Sequence, residues 1–377
     1  MKADMIVKKI LFFLFDVKMR GQYRIKVRKL MRSAGKIGPL LNPPPQVAIL
    51  NAELLKPLVK KSEASYLKLY GSISGKWDHR YIPEFVYYST IEPCLNNKAF
   101  SKGYTDKNFY PLFLHDFDIP ETILFNSEEV FYNKENKPIT LAEAFNIMVH
   151  QESFIIKPSV DSGGGRGVSL WKRSGGDIIS NEGVILTPEY LLSAYKKNFI
   201  IQVPVKQHDY YSQFNSSSVN TIRVLTYRSV KDESIKILHS ILRVGFAGSV
   251  TDNQASGGFA CGIDEDGCLS GRAVNKHGAV FHEVNGVTLQ IGLKVMGYDK
   301  ILNASKGVAA RYLYSRLLGL DFCVDASGKV RLIEVNCINN EINFFQMLNG
   351  PLFGDVTDEV IEWCSRKERS FMIDFEI

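Results

Sequence analysis

Apolar positions along this chain fall into short blocks whose spacing changes with position, and that change is the first guide to its architecture. From Asp106 to Ile201 the blocks read as helix, strand, helix, strand, Gly-rich loop, strand, helix and strand, whereas from Thr221 onward strands dominate. This order predicts an α+β protein of two lobes. Three successive prolines, Pro43 to Pro45, cannot continue a helix and mark a boundary. The chain therefore divides into an N-terminal segment 1–45, a region 46–105, and two subdomains at 106–201 and 202–377. Within 46–105 the pattern specifies only one helix, Ala52 to Leu69, and aromatic-rich connections such as Tyr81 to Tyr88. No internal repeat or low-complexity tract is present.

Composition narrows the class. With 45% hydrophobic and 23% charged residues, the chain of 377 residues can bury core in about two or three domains. The longest early apolar run, Ile10 to Phe15, is too short to span a bilayer, is flanked by lysines and leads to no small-residue cleavage site. A cytoplasmic protein is expected. The six cysteines form no C-x-x-C pair and no metal-ligand spacing with histidine, so they read as reduced, mostly buried thiols.

Charge is unevenly spread. Residues 1–37 hold eleven Lys or Arg against Asp4 and Asp16, a net +9, so the rest of a chain totalling +6 carries −3. A basic segment interleaved with Ile10 to Phe15 suits peripheral attachment to an anionic membrane surface on its cytoplasmic side. It equally suits a helix covering the body of the protein. Nucleic acid is not expected as a partner, because no aromatic-rich RNA motif or DNA-binding signature accompanies the charge.

Two constellations carry chemistry. Phe154-Ile155-Ile156-Lys157-Pro158 reads as a buried strand delivering one cation at its end, and Gly163, Gly164, Gly165 and Gly167 follow it. Glycines let backbone N–H groups approach an anion closely, which suits polyphosphate. The loop is neither a Walker A motif nor a G-x-G-x-x-G opening a helix. Val168 to Lys172 reads as a second strand, making the glycines the tip of a hairpin. The other constellation is Gly319 to Val324, a turn at Asp325 to Lys329, then Val330 to Asn336. If Val324 faces Val330 or Arg331, Asp321 lies opposite Ile333 or Glu334, and Asn336 shares a face with Glu334. Asp321, Glu334 and Asn336 then offer the hard oxygen ligands that magnesium prefers. Glu334 sits among Leu332, Ile333 and Val335, where an ionised carboxylate needs a cation or donor partner.

At this point the sequence resembles the ATP-grasp superfamily, most closely the sugar-transfer-associated group, in order from about Lys102 to Asp355. Thr105-Asp106-Lys107 looks like the Asp-Lys opening the nucleotide region, and Lys157 with the glycine loop like the second phosphate lysine and mobile flap. Phe199 to Val205 resembles the linker that reads adenine through backbone groups, here Val203 and Val205, and an acidic side chain. That acidic position is Gln202. Ile333-Glu334-Val335-Asn336 resembles the metal-binding Glu-x-Asn, with Asp321 the preceding metal carboxylate. Gln207-His208, Val219 to Val224 and the loop Asn253 to Gly258 resemble segments of the sugar-associated group, and Asp209 takes the position of a ribose acceptor.

The resemblance implies an ATP-grasp fold, two α+β lobes gripping ATP between them, with ATP and magnesium as cofactors. ATP would phosphorylate a carboxylate and the acyl phosphate would be attacked by an amine, both small-molecule substrates, one of them a lipid-linked or nucleotide-linked sugar. Such chemistry needs lysines, magnesium and an arginine to neutralise developing charge. Arg223 is the first choice for the arginine and Arg243 the second. In Ile222 to Thr226, read as a strand, Arg223 alternates with apolar neighbours and points into a cleft or into a cross-strand ion pair. A kinase acting on a sugar or polyol hydroxyl and a non-catalytic nucleotide-binding protein are the competing expectations.

Overall fold

The structure, a computed structural model, describes residues 2–60, 62–160, 165–249 and 257–370. It opens with three helices, α1 (Lys2–Gly35), α2 (Pro45–Leu55) and α3 (Ala64–Ser74). Pro45 takes the first position of α2, where a missing N–H costs nothing and the fixed φ is already helical. The single helix expected over Ala52 to Leu69 is instead two helices. Pro57 has no N–H to continue the helical hydrogen bonds, so α2 stops at Leu55 even though Lys56 keeps helical geometry with φ −52° and ψ −36°. The aromatic stretch from Tyr81 holds a turn of helix, Glu84–Val86, running into a wider helical turn at Tyr87–Ile91.

The first lobe contains β1 (Thr122–Ser127), β2 (Val130–Asn133), β3 (Pro138–Ile139), α4 (Leu141–Val149), β4 (Ser153–Pro158), β5 (Ser169–Ser174), β6 (Asp177–Ser180), α5 (Pro188–Tyr195) and β7 (Phe199–Gln202). Its strands form one sheet in the order β3-β2-β1-β7-β4-β5-β6. The hairpin expected around the glycines is β4 and β5, paired antiparallel. Phe154, Ile156, Trp171, Phe199 and Ile201 make its core with Met148 of α4 and Leu191 of α5. β7 lies between β1 and β4 and is buried at all four positions, so it carries the chain through the middle of this lobe to its edge with the next.

The second lobe contains β8 (Thr221–Arg228), β9 (Ile235–Val244), β10 (Phe259–Ile263), β11 (Leu269–Asn275), β12 (Val280–Phe281), β13 (Glu283–Val284), β14 (Val287–Thr288), α6 (Tyr298–Arg311), β15 (Leu317–Val324), β16 (Val330–Asn336), α7 (Asn343–Leu348) and α8 (Thr357–Arg366). Its main sheet runs β12-β11-β10-β9-β8-β15-β16. One face, with Ile222, Val224, Leu242 and Leu320, packs on Ile301 and Val308 of α6. The other, with Leu225, Ile241 and Leu317, packs on Tyr70 of α3 and Phe345 of α7. Period-two alternation places Arg223 with Leu225, and Arg243 with Ile241, on this second face. The polar floor described below is therefore the uncovered continuation of the surface that α3 and α7 bury.

α1 lies on the same side. Val27 and Ala34 join the core beneath α3, and Tyr23 stacks on Tyr88 with ring centroids 5.0 Å apart. Arg24 pairs with Glu63 at 2.7 Å and Lys26 with Glu84 at 2.6 Å. Asp16 accepts from Arg369 at 2.6 Å. Nearer its start, Ile10, Phe13, Leu14 and Val17 are exposed. Among the described residues no helix is long and apolar enough to cross a membrane. All six cysteines are free, and five of them are buried.

Candidate active site

The β15–β16 hairpin sets the floor. Val324 pairs with Val330, and an irregularity between Asp321 and Phe322 then shifts the register so that Asp321 faces Glu334 and Gly319 faces Asn336. An unbroken ladder from the same turn would have put Ile333 opposite Asp321. The shift thus brings the carboxylates of two neighbouring strands together.

Asp321 is 2% exposed and is gripped from the other side. Arg223 is its cross-strand partner on β8, donating from Nε to Oδ1 at 2.7 Å and from Nη2 to Oδ2 at 2.6 Å. Arg243 of β9 donates to Oδ2 at 3.0 Å. Burial pushes the Asp321 carboxyl up, but the charges and hydrogen bonds of the two arginines outweigh it and hold it below the usual carboxylate range. Both alternatives open for Arg223 hold together: it makes the cross-strand ion pair and also lines the cleft.

Glu334 has the cation that its apolar strand demands, because Lys107 lies 2.8 Å away. Lys107 opens a short helical turn capped by the Asp106 side chain, which accepts from Asn108 N–H at 3.0 Å. Its own N–H donates to Ser159 O at 3.0 Å, tying that turn to the end of β4. Lys157, near the same strand end, titrates at about 8, lowered first by burial and then by the charge of Lys107, against the opposing pull of Glu334 and Cys323. Among the described residues two cations therefore crowd one spot beside the single acid Glu334, an arrangement that a polyanion would relieve.

These groups line a cleft of about 700 Å³ between the lobes. Lys107, Lys157, Gly165, Gln202, Val203 and Val205 occupy its first-lobe end, and Arg223, Arg243, Asp321, Glu334 and Asn336 its floor. Gln202 is buried and donates from Nε2 to Pro120 O at 3.3 Å, which leaves Oε1 as an acceptor where a carboxylate was expected. Asn336 donates from Nδ2 to Gly319 O at 3.2 Å, turning its amide oxygen away from that bond. Oδ1 of Asp321 accepts from Arg223 alone and keeps a lone pair. Two carboxylates and an amide oxygen fit a hard divalent cation. Among the described residues no cluster of three His, Cys, Asp or Glu suits a metal, so the amide is needed to complete this set.

Other expected residues lie elsewhere. Asp209 is exposed at the start of a short helical turn, Asp209–Ser212, and does not line the cleft. Gly167 stands outside the lining, with φ +73° and Pro158 only 2.9 Å from where a Cβ would be, so it closes the loop's return. Gly163, Gly164 and Asn253 to Ser256 lie outside the described residues. His208 caps a turn by accepting from Tyr210 N–H at 3.1 Å. Gln207 binds the carbonyls of Asn215 and Ser218 and accepts from Asn220, a buried network shaping the approach to β8. Sequence reasoning missed the far end of the cleft, where Lys26, Lys29, Leu30 and Ser33 of α1, Lys276 and His277, and Glu341 to Met347 complete the wall. Their spacing of three and four on α1 was the available signal.

The family pattern described as sugar-transfer associated ATP-grasp matches residues 78–360. That match begins before Lys102, so it includes the aromatic stretch that alone suggested no fold. No curated protein matches the sequence. Among solved structures, the ATP-grasp ligase PsnB, complexed with a phosphomimetic variant of its minimal precursor, Mg and ADP, is 14% identical. That alignment covers 71% of this chain and 61% of the other, with a TM-score of 0.38. D-alanyl-alanine synthetase A from Vibrio cholerae is 14% identical over 72% of this chain and 63% of that one, at 0.36. VanG D-Ala:D-Ser ligase from Enterococcus faecalis is 13% identical over 69% and 60%, at 0.37. This chain thus spans under two thirds of the length of each. With most of its length matched by one family pattern, and with two α+β lobes facing a shared cleft, the chain belongs to the sugar-transfer-associated ATP-grasp family.

Proposed function

We propose that the protein is an ATP- and magnesium-dependent carboxylate–amine ligase that joins an amino acid or amine to a sugar acid in surface polysaccharide synthesis. The observation that carries the reading is the cleft floor, where Asp321 orders two arginines beside the Lys107–Glu334 pair and Lys157. A carboxylate oxygen of the substrate would attack the γ-phosphorus of ATP, forming an acyl phosphate and releasing ADP. The amine would then attack the acyl carbon, phosphate would leave, and the nitrogen would lose a proton to give the amide.

Lys107 and Lys157 would hold phosphate oxygens, and Arg223 and Arg243 would stabilise charge on the transferring group and on the tetrahedral oxygen. The bidentate grip of Asp321 fixes Arg223 in advance, so little reorganisation is needed during reaction. Asp321, Glu334 and Asn336 would hold magnesium, which neutralises phosphate charge when bound. Glu334 and Lys107 satisfy one another in this structure, and the metal and the phosphates offer each a new partner of opposite sign. No covalent nucleophile is required, and Cys337, beside Asn336, has its thiol pushed up to about 12 by burial.

The sugar link in the family description and the exposed Ile10, Phe13, Leu14 and Val17 on basic α1 support work on a lipid-linked acceptor at the cytoplasmic membrane face. The direct test is a phosphate-release screen over matched carboxylate and amine pairs, read by mass spectrometry. A condensed product lacking one water, formed with one phosphate per turnover, is expected. A phosphorylated hydroxyl product would overturn the ligase reading in favour of a kinase.

A further inference from the structure

Two of the six cysteines meet where α8 packs on the aromatic stretch. Cys94 lies in the helical turn Glu92–Leu95, and Cys364 in the last turn of α8. Each thiol reaches the backbone of the other's element. Cys94 Sγ lies 3.9 Å from Cys364 O and 3.6 Å from Lys367 O, and Cys364 Sγ lies 4.0 Å from Ile91 O, one turn before Cys94. This reciprocity sets the two sulfurs against one another, and the thiols make a direct contact. Past α8 the chain stays on the same turn, with Ser370 N–H donating to Pro93 O at 2.8 Å and Arg369 Nη1 to Ser89 O at 3.0 Å.

The pair is asymmetric. Contact with Cys364, helped by the charges of Arg369 and Lys367, holds the Cys94 thiol below its ordinary value against the opposing effect of burial. Contact with Cys94 and burial push the Cys364 thiol up. A thiol that ionises readily attacks an oxidant, and a second thiol in contact with it resolves the product. Neither cysteine lines the cleft, and the ligase chemistry uses neither. Cys268 is the one cysteine that is not buried, so accessibility alone would direct oxidation there instead.

We propose that Cys94 and Cys364 form a reversible disulfide in the folded protein, an oxidation-sensitive clasp between α8 and the segment that precedes the first lobe. The oxidant is hydrogen peroxide. The Cys94 thiolate attacks one peroxide oxygen, the O–O bond breaks, hydroxide leaves and takes up a proton, and Cys94 becomes a sulfenic acid. The Cys364 sulfur then attacks the Cys94 sulfur, the S–O bond breaks, and the hydroxide departs as water with the Cys364 proton. Two thiols are oxidised to one disulfide, and peroxide is reduced to two waters. The bond closes a loop from Cys94 to Cys364 that contains both lobes, and so restricts the unfolded chain.

The experiment treats the full chain, without denaturant, with a small excess of hydrogen peroxide. After quenching, the protein is unfolded, remaining thiols are alkylated, and peptides are mapped by mass spectrometry. A peptide linking Cys94 to Cys364 is expected, with Cys261, Cys323 and Cys337 recovered as alkylated thiols. Dithiothreitol removes the link, and the oxidised protein melts several degrees above the reduced one. Cys364→Ser leaves a sulfenic acid at Cys94 that dimedone traps, whereas Cys94→Ser gives neither the link nor a trapped sulfenic acid at Cys364. Oxidation of Cys268 while Cys94 and Cys364 stay as thiols overturns the proposal, and so does trapping at Cys364 in Cys94→Ser equal to that at Cys94 in Cys364→Ser. Should a serine variant fail to fold, the wild-type peptide map decides alone.

Discussion

Lys157 is the residue whose chemistry is easiest to follow by titration. Its ammonium loses protons near pH 8 because burial and Lys107 disfavour the charge, and phosphate alongside would restore it. Below that pH the lysine is already cationic and nucleotide affinity is flat. As pH rises through about 8 affinity falls, because binding must then bring a proton with it. Calorimetry in buffers of different ionisation heat should find uptake of about half a proton at pH 8, and Lys157→Met should abolish the uptake and weaken binding. Asp321 and Glu334 separate by a different measurement. Asp321→Asn leaves two arginines facing each other without their acid, so unfolding by denaturant should show a loss of about 3–5 kcal/mol. Glu334→Gln, at a position 28% exposed, should keep its stability within about 1 kcal/mol and lose magnesium-dependent turnover. Residue types at the hairpin were readable because turn chemistry limits the register to two choices. The choice between Ile333 and Glu334 was not, since it depends on a local irregularity that no residue at Asp321 or Phe322 announces.

Among the elements, strands were read more faithfully than the helices before them. β4, β8, β15 and β16 are short apolar runs bounded by turns, and β15 is buried at every position, so their pattern and their environment agree. The break at Pro57 follows from the missing proline N–H, and the helical turns after Pro83 lie in an aromatic run where periodicity is a poor guide. α1 is the instructive case. Its basic and apolar residues are mixed around the helix, and its two halves face different surroundings, so no single pattern describes it. Docking depends on Lys26, which holds the buried carboxyl of Glu84. Burial pushes that carboxyl up and Lys26 pulls it back, with a net rise. In Lys26→Met the rise becomes larger. Folding then favours the protonated acid, so stability is kept at low pH and lost as pH rises through the folded-state value. Thermal melts should find variant and wild type nearly equal around pH 4 and increasingly separated toward neutrality.

At the scale of the whole molecule, the basic segment serves the body of the protein and still leaves a surface unoccupied. Removing residues 1–37 would delete Lys26 and Lys29 from the cleft, so membrane attachment is better tested nearer the start of α1. Phe13→Glu with Leu14→Glu places acids where exposed apolar side chains stand. The wild-type chain should sediment with vesicles containing phosphatidylserine at low salt and be released as salt rises, since each basic residue contributes about 1 kcal/mol near such a surface. The double variant should remain in the supernatant. Equal sedimentation of wild type with neutral vesicles would rule out the electrostatic attachment.

The position of the α1 wall has one more consequence. The family pattern begins at Asp78, whereas the helix face that meets the far end of the cleft lies at Lys26 to Ser33. The floor with Asp321 and Glu334 lies within the stretch that the family pattern covers, while part of the opposite wall comes from a helix that precedes it. A graft of the first 35 residues from one such protein onto another would replace that part of the wall and leave the floor in place, provided a glycine still lets the turn between β11 and β12 approach the incoming helix.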